Sequence, residues 1–140
     1  MAKDYYAEIF FHFTWHTQAN APLITPAVES KLWNHIKAKC VQHAVHPIEV
    51  GGTPDHVHLV ISAPPTVCVA ELVGQLKGAS SHFVNHDLRG GPKFAWQKGY
   101  GCLTLARRNV DALRRYVREQ KTRHANGTTR ETLERHLPEH

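Results

Sequence analysis

Four residues have the types and spacing to hold a metal ion beside a nucleophile. His56 and His58 flank one residue in His56-Val57-His58. On a strand, residues two apart project to the same face, so both imidazoles would stand side by side, and two imidazoles can grip one ion. Tyr116 and Gln120 are four apart, which on a helix places one above the other. A glutamine amide oxygen can be a third ligand, leaving coordination positions open as a catalytic metal requires, and a tyrosine hydroxyl can attack. Each pair alone also fits a plainer role. The chain holds 12 histidines, so two on one strand can be incidental, and a tyrosine where a helix meets a sheet often has a polar neighbour. The pairs become a site only if the fold brings them together.

The elements that must do so are legible from periodicity. Residues 5–15 alternate: Tyr5, Ala7, Ile9, Phe11, Phe13 and Trp15 share one face, and His12 and Thr14 the other, which predicts a strand. Thr25-Pro26 predicts a helix start, with Thr25 as N-cap, followed by Val28, Leu32, Ile36 and Cys40 at a spacing of four. A second strand is expected over residues 45–50, then a turn at Gly51-Gly52-Thr53-Pro54. A third strand is expected over residues 56–62. A second helix is expected over residues 68–87, with Val69, Leu72, Val73, Leu76, Ala79 and Phe83 inward and Gly90-Gly91-Pro92 as its stop. A fourth strand covers residues 101–106. A third helix covers residues 109–124, capped by Asn109, with Val110, Leu113 and Val117 as its core stripe and Tyr116 and Gln120 beside it.

This order predicts an α+β fold: a ferredoxin-like, RRM-like split βαβ sandwich (βαββαβ) with an antiparallel four-stranded sheet plus a C-terminal helix. The first two helices cover one sheet face. His56 and His58 point to the other, which only the third helix is free to cover. Residues 1–125 form one domain, and residues 126–140 are a polar tail, either a loose arm or a short terminal helix.

Composition narrows the class. The 140 residues are 41% hydrophobic and 21% charged, as in ordinary globular proteins. No apolar run reaches the ~18 residues of a membrane span, and the alternating start shows no signal peptide, so a cytoplasmic protein is expected. Cys40, Cys68 and Cys102 are too scattered for a disulfide framework or a zinc knuckle. Arg107, Arg108, Arg114, Arg115, Arg118, Lys121 and Arg123 face only Asp111 and Glu119 within their segment, which accounts for the whole formal charge of +5. Such concentration suits a phosphate backbone or, equally, a solvated helix face.

His56-Val57-His58 resembles the histidine-hydrophobe-histidine signature of HUH nucleases, and Tyr116-Val117-Arg118-Glu119-Gln120 resembles the Tyr-x-x-x-Gln helix of the single-tyrosine transposases of the insertion-sequence 200/605 type. Four further stretches are similar to that family: the first strand around His12–Thr17, Gly52–Val60 leading into the histidine strand, Leu76-Lys77-Gly78-Ala79-Ser80-Ser81, and Phe94–Gly101. The likeness covers about residues 8 to 124. The arginine run around Tyr116 departs from the family pattern, which is silent on the tail.

The resemblance implies that Tyr116 is the nucleophile and that His56, His58 and Gln120 hold Mg²⁺ or Mn²⁺. The product would be a 5′-phosphotyrosine with a free 3′-hydroxyl, the substrate single-stranded DNA with hairpins, and the assembly a homodimer in a prokaryotic cell. Arg107, Arg108, Arg114, Arg115, Arg118 and Lys121 are candidates for DNA backbone contact, Trp96 and Tyr100 for base stacking, and His12 for an approach to the metal ligands. Two other readings stay open: a hairpin-binding regulator without catalysis, and a metal phosphodiesterase that uses water.

Overall fold

The computed structural model describes residues 4–88 and 91–137. Four strands, β1 (Phe10–His16), β2 (His46–Thr53), β3 (His56–Ser62) and β4 (Gly101–Leu105), form one antiparallel sheet in the order β2-β3-β1-β4. Helices α1 (Pro26–Gln42) and α2 (Val69–Asp87) follow β1 and β3. This is the expected ferredoxin-like order.

Alternation decides which face each residue serves. Phe13, Trp15, Val57, Leu59 and Ile61 point into the main core beneath α1 and α2, where Leu32, Ile36, Cys40, Leu72, Val73 and Leu76 meet them. Each large side chain fully buried there contributes about 1.5–3 kcal/mol. The stripe of α2 tips slightly from expectation: Ser80 and Val84 are buried, while Phe83 is half-buried against His35. Ser80 Oγ accepts the Trp96 indole N–H at 2.8 Å. Lys77 Nζ donates to the Gln97 and Gly99 carbonyls at 2.7 and 2.9 Å, and so pins the segment that leads into β4.

The opposite face carries His12, Thr14, His56 and His58, all buried. It is covered by α3 (Val110–Arg118) and α4 (Gln120–Asn126), followed by a one-turn helix α5 (Glu131–Glu134) in the tail. Val60, Leu113, Tyr116 and Val117 form a second, smaller core there. The close crossing of α3 over β2 needs Gly51, where a Cβ would stand 2.4 Å from the Val117 carbonyl oxygen. No side chain fits that gap.

Three expectations need correction. The first strand begins at Phe10, not Tyr5. Phe10 pairs with Ser62 and Leu105, and beyond those partners Pro64-Pro65 and a 3-10 turn at Arg107–Asn109 end both ladders. The third helix is not continuous: Glu119 leaves helical geometry at φ −95°, ψ 16°, and the chain restarts as α4. The second strand runs on through Gly51 and Gly52 to Thr53, so the turn is only Pro54-Asp55. Thr25 and Asn109 do stand as the N-caps of α1 and α3, though neither side chain bonds to its helix. Of the expected stop after α2, Gly90 lies outside the described residues. The tail is the second of its two alternatives, a short helix, and it is folded onto the sheet.

Candidate active site and metal centre

The fold brings the four residues together within one chain. Register sets His58 opposite Thr14, and His56 opposite His16 on one side and Thr53 on the other. Helix α3 delivers Tyr116, whose ring lies 6.1 Å from that of His58 between centroids. The break at Glu119 redirects the chain so that Gln120, 1% exposed, places Oε1 at 3.1 Å from His56 Nε2.

Partners on the far side of each ring fix its orientation. His56 Nδ1 donates to Asp55 Oδ1 at 2.7 Å and Thr53 Oγ1 at 2.8 Å, while Thr53 donates its own proton to the same carboxylate. His58 Nδ1 lies 2.8 Å from His12 Nε2 and 3.1 Å from Thr14 Oγ1, and either histidine ring can carry the shared proton. His12 thus contacts the back of His58, as its strand face suggested. Such outer partners orient metal-binding imidazoles.

Two residues that sequence reasoning missed complete the cluster. His124 stands four positions beyond Gln120 on α4, and its Nε2 lies 3.0 Å from Gln120 Oε1. That spacing was visible in the sequence. Glu134, on α5, was not foreshadowed by any spacing. Its Oε1 lies 3.1 Å from His58 Nε2, 3.1 Å from His124 Nε2 and 3.3 Å from His56 Nε2. Its Oε2 accepts the Tyr116 hydroxyl and, at 3.3 Å, the Gln120 amide.

The donor set asks for a cation. Because His56 Nδ1 carries a proton toward Asp55, its Nε2 faces only the acceptor oxygens of Gln120 and Glu134, which a proton or a metal ion must bridge. Burial disfavours the imidazolium, but hydrogen bonds to Glu134, Asp55 and Gln120 outweigh it and raise the His56 pKa. Burial lowers that of His58 and, with His58 beside it, drives that of His12 to about 3. Burial and then Glu134 push the Tyr116 phenol up to about 12. Burial opposes ionisation of Glu134, yet His56 and His58 hold its carboxyl well below the usual range. The ligand atoms of His56, His124 and Glu134 lie within 4.8 Å of one another, as do those of His16, Asp55 and His56.

The other candidates are dispersed. Arg107 pairs with Glu8, Arg114 and Arg118 share Glu49, and Lys121 pairs with Glu29. Arg108 and Arg115 are exposed, with no salt bridge among the described residues. Trp96 and Tyr100 pack at the edge of the main core, edge-on to Trp15 and Phe13, on the sheet face away from the histidines.

The chain as a whole resembles known proteins. The family model described as "Transposase IS200 like" matches residues 5–120. The chain belongs to this family, the IS200-like transposases, whose members are DNA-cleaving enzymes. The ISDra2 transposase TnpA of Deinococcus radiodurans is 26% identical over 125 residues, spanning 84% of this chain and 88% of that protein. Among solved structures, one described as a transposase from Deinococcus radiodurans superposes with a TM-score of 0.67 at 22% identity, covering 86% of this chain and 96% of its own. A REP-associated tyrosine transposase bound to a REP hairpin superposes with a TM-score of 0.63 at 13% identity, covering 92% and 75%. The IS200-like fold is therefore shared over nearly the whole chain. No helix among the described residues is long and apolar enough to cross a membrane.

Proposed function

We propose that this IS200-like transposase cleaves and rejoins single-stranded DNA through a 5′-phosphotyrosine on Tyr116, beside a divalent ion held by His56, His58 and Gln120. The observation that carries this reading is the meeting of Tyr116 and Gln120 with the His56/His58 strand face: Gln120 Oε1 is 3.1 Å from His56 Nε2, and Tyr116 borders the His58 ring.

In the forward step the Tyr116 oxygen bonds to phosphorus, the bond to the 3′ oxygen breaks, the phenol gives up its proton and the 3′ oxygen takes one up. In the reverse step a 3′-hydroxyl attacks the phosphotyrosine and restores the phosphodiester. No external energy source is needed, since the tyrosyl ester keeps the bond energy. The ion, when bound, polarises the phosphate and offsets its developing charge. Asp55 and Thr53 hold the His56 ring, and His12 and Thr14 hold that of His58, which would leave each Nε2 to hold the ion. Two imidazoles and one amide oxygen form a nitrogen-rich set, which suits Mn²⁺ at least as well as Mg²⁺.

The substrate is a hairpin with a single-stranded flank, by analogy with the hairpin-bound relative. Arg108 and Arg115, exposed and unpaired among the described residues, contact its backbone; Arg107, Arg114, Arg118 and Lys121 add to the same basic surface. Trp96 and Tyr100 stay packed and play a smaller part. The working assembly is a homodimer, acting on DNA in the cytoplasm of a prokaryotic cell.

The test is incubation with labelled hairpin DNA and Mn²⁺. His56→Ala should abolish cleavage while hairpin binding persists; undiminished cleavage removes His56 from the site. Cleavage without a protein–DNA adduct would favour water as the nucleophile, and binding without cleavage a regulator.

A further inference from the structure

Tyr116 cannot react in the arrangement seen. It is 2% exposed, and both hydrogen-bonding directions of its hydroxyl end on the tail. The hydroxyl donates to Glu134 Oε2 and accepts the Arg130 backbone N–H at 2.9 Å. No phosphate can approach this oxygen while residues 130–134 lie over it.

The carboxylate of Glu134 spans two points. One oxygen accepts the hydrogen bond of the Tyr116 hydroxyl; the other lies 3.1 Å from His58 Nε2 and 3.3 Å from His56 Nε2. Under the proposed chemistry a scissile phosphate must span the same two points, with one oxygen toward the histidine cluster and its phosphorus before the tyrosine. A carboxylate is a smaller anion of the same sign, able to accept the same hydrogen bonds.

The tail has a shaped seat. A Cβ on Gly101 would stand 2.0 Å from the Arg135 carbonyl oxygen, so β4 is thinned where the tail crosses it. Thr14 Oγ1, on β1 opposite His58, donates to the Leu133 carbonyl at 3.1 Å. Leu133 packs against the small core of Val60, Leu113, Tyr116 and Val117. Yet α5 is only four residues long, too short to hold its own helix without these contacts, so it can be displaced without disturbing the sheet.

We infer that tail residues 130–137 are an internal stand-in for the scissile strand, with Glu134 in the place of its phosphate, and that single-stranded DNA must displace them before Tyr116 can attack. This inference rests on the proposed function and adds its regulation. The resting enzyme is closed by its own tail, and substrate competes for the seat.

The test uses the full chain and two readouts. In single-turnover reactions with Mn²⁺ and hairpin DNA, Glu134→Gln and Glu134→Ala should form the covalent adduct about tenfold faster or more, since each loses the charge-assisted bonds that hold the tail closed. An unchanged or slower rate in both variants overturns the inference and makes Glu134 a neutral or contributing part of the site. In the second readout, saturating hairpin DNA with a single-stranded flank should speed tryptic cleavage after Arg130 and Arg135 in the unmodified protein. Unchanged protection also overturns it. If no protein forms an adduct, the cleavage reading fails, and the proteolysis result alone decides whether DNA displaces the tail.

Discussion

Nδ1 of His58 lies 2.8 Å from Nε2 of His12, across neighbouring strands and fully inside the protein. A His58 that offers Nε2 to a metal ion must carry its proton on Nδ1, and His12 then accepts it. His12→Ala leaves that proton without its main acceptor. Mn²⁺ affinity, measured by electron paramagnetic resonance titration, should fall about 10–100-fold, and His12→Gln, which keeps an acceptor oxygen, should recover part of it. Equal affinity in His12→Ala, with the fold intact, removes His12 from any role in orienting the ligand.

Tyr116 should titrate late. Burial and the bond to Glu134 push its phenol from 10.0 to about 12. The folded protein therefore holds this proton more tightly than the unfolded chain does. The stability this provides is complete below pH 10 and is lost as pH rises toward 12. Ultraviolet titration of phenolate should show a phase near pH 12 that Tyr116→Phe deletes; because the Glu8 hydrogen bond also raises the exposed Tyr6, the comparison is made in a Tyr6→Phe background. A phase near pH 12 surviving in the Tyr6→Phe, Tyr116→Phe double variant contradicts the assignment.

Two glycines should respond in opposite directions to alanine. At Gly51 the new Cβ meets the Val117 backbone oxygen at 2.4 Å, so α3 must lift from β2. The cost should be about 1–3 kcal/mol in urea unfolding, with cleavage impaired because Tyr116 moves with the helix. At Gly74, on the exposed side of α2, nothing lies within 4 Å, and Gly74→Ala should stabilise by about 0.5–1 kcal/mol. A neutral Gly51→Ala would mean that the helix sits further from the strand than described.

DNA affinity should depend most on the arginines left unpaired. Arg115→Ala should lower the magnitude of the slope of log affinity against log salt by about 0.7, the value for one lost phosphate contact on a single strand. Arg118→Ala should change it less, because Arg118 is engaged with Glu49 at 3.0 Å. The same slope for Arg115→Ala and the unmodified protein would place the DNA elsewhere.

The residue pattern made the sheet face, the strand order and the meeting of Tyr116 and Gln120 with the histidines readable, because each follows from a period of two or of 3.6 along one element. What escaped has no local signal. Glu134 reaches His58 across 76 positions, a contact made by the path of the tail. The break at Glu119 has no glycine or proline to announce it. Trp96 and Tyr100 sit in a segment without regular periodicity, so the sheet face they serve emerges only from the anchoring of that segment by Lys77. His124 is the one omission that spacing would have caught, four residues beyond Gln120.

The most direct test of the central claim is to digest the covalent protein–DNA adduct formed with Mn²⁺ and identify the modified peptide by mass spectrometry. The account predicts a nucleotide attached through its 5′ phosphate to Tyr116 and to no other tyrosine, with no adduct in Tyr116→Phe. Attachment at Tyr5, Tyr6 or Tyr100, or an adduct that persists in Tyr116→Phe, would contradict it.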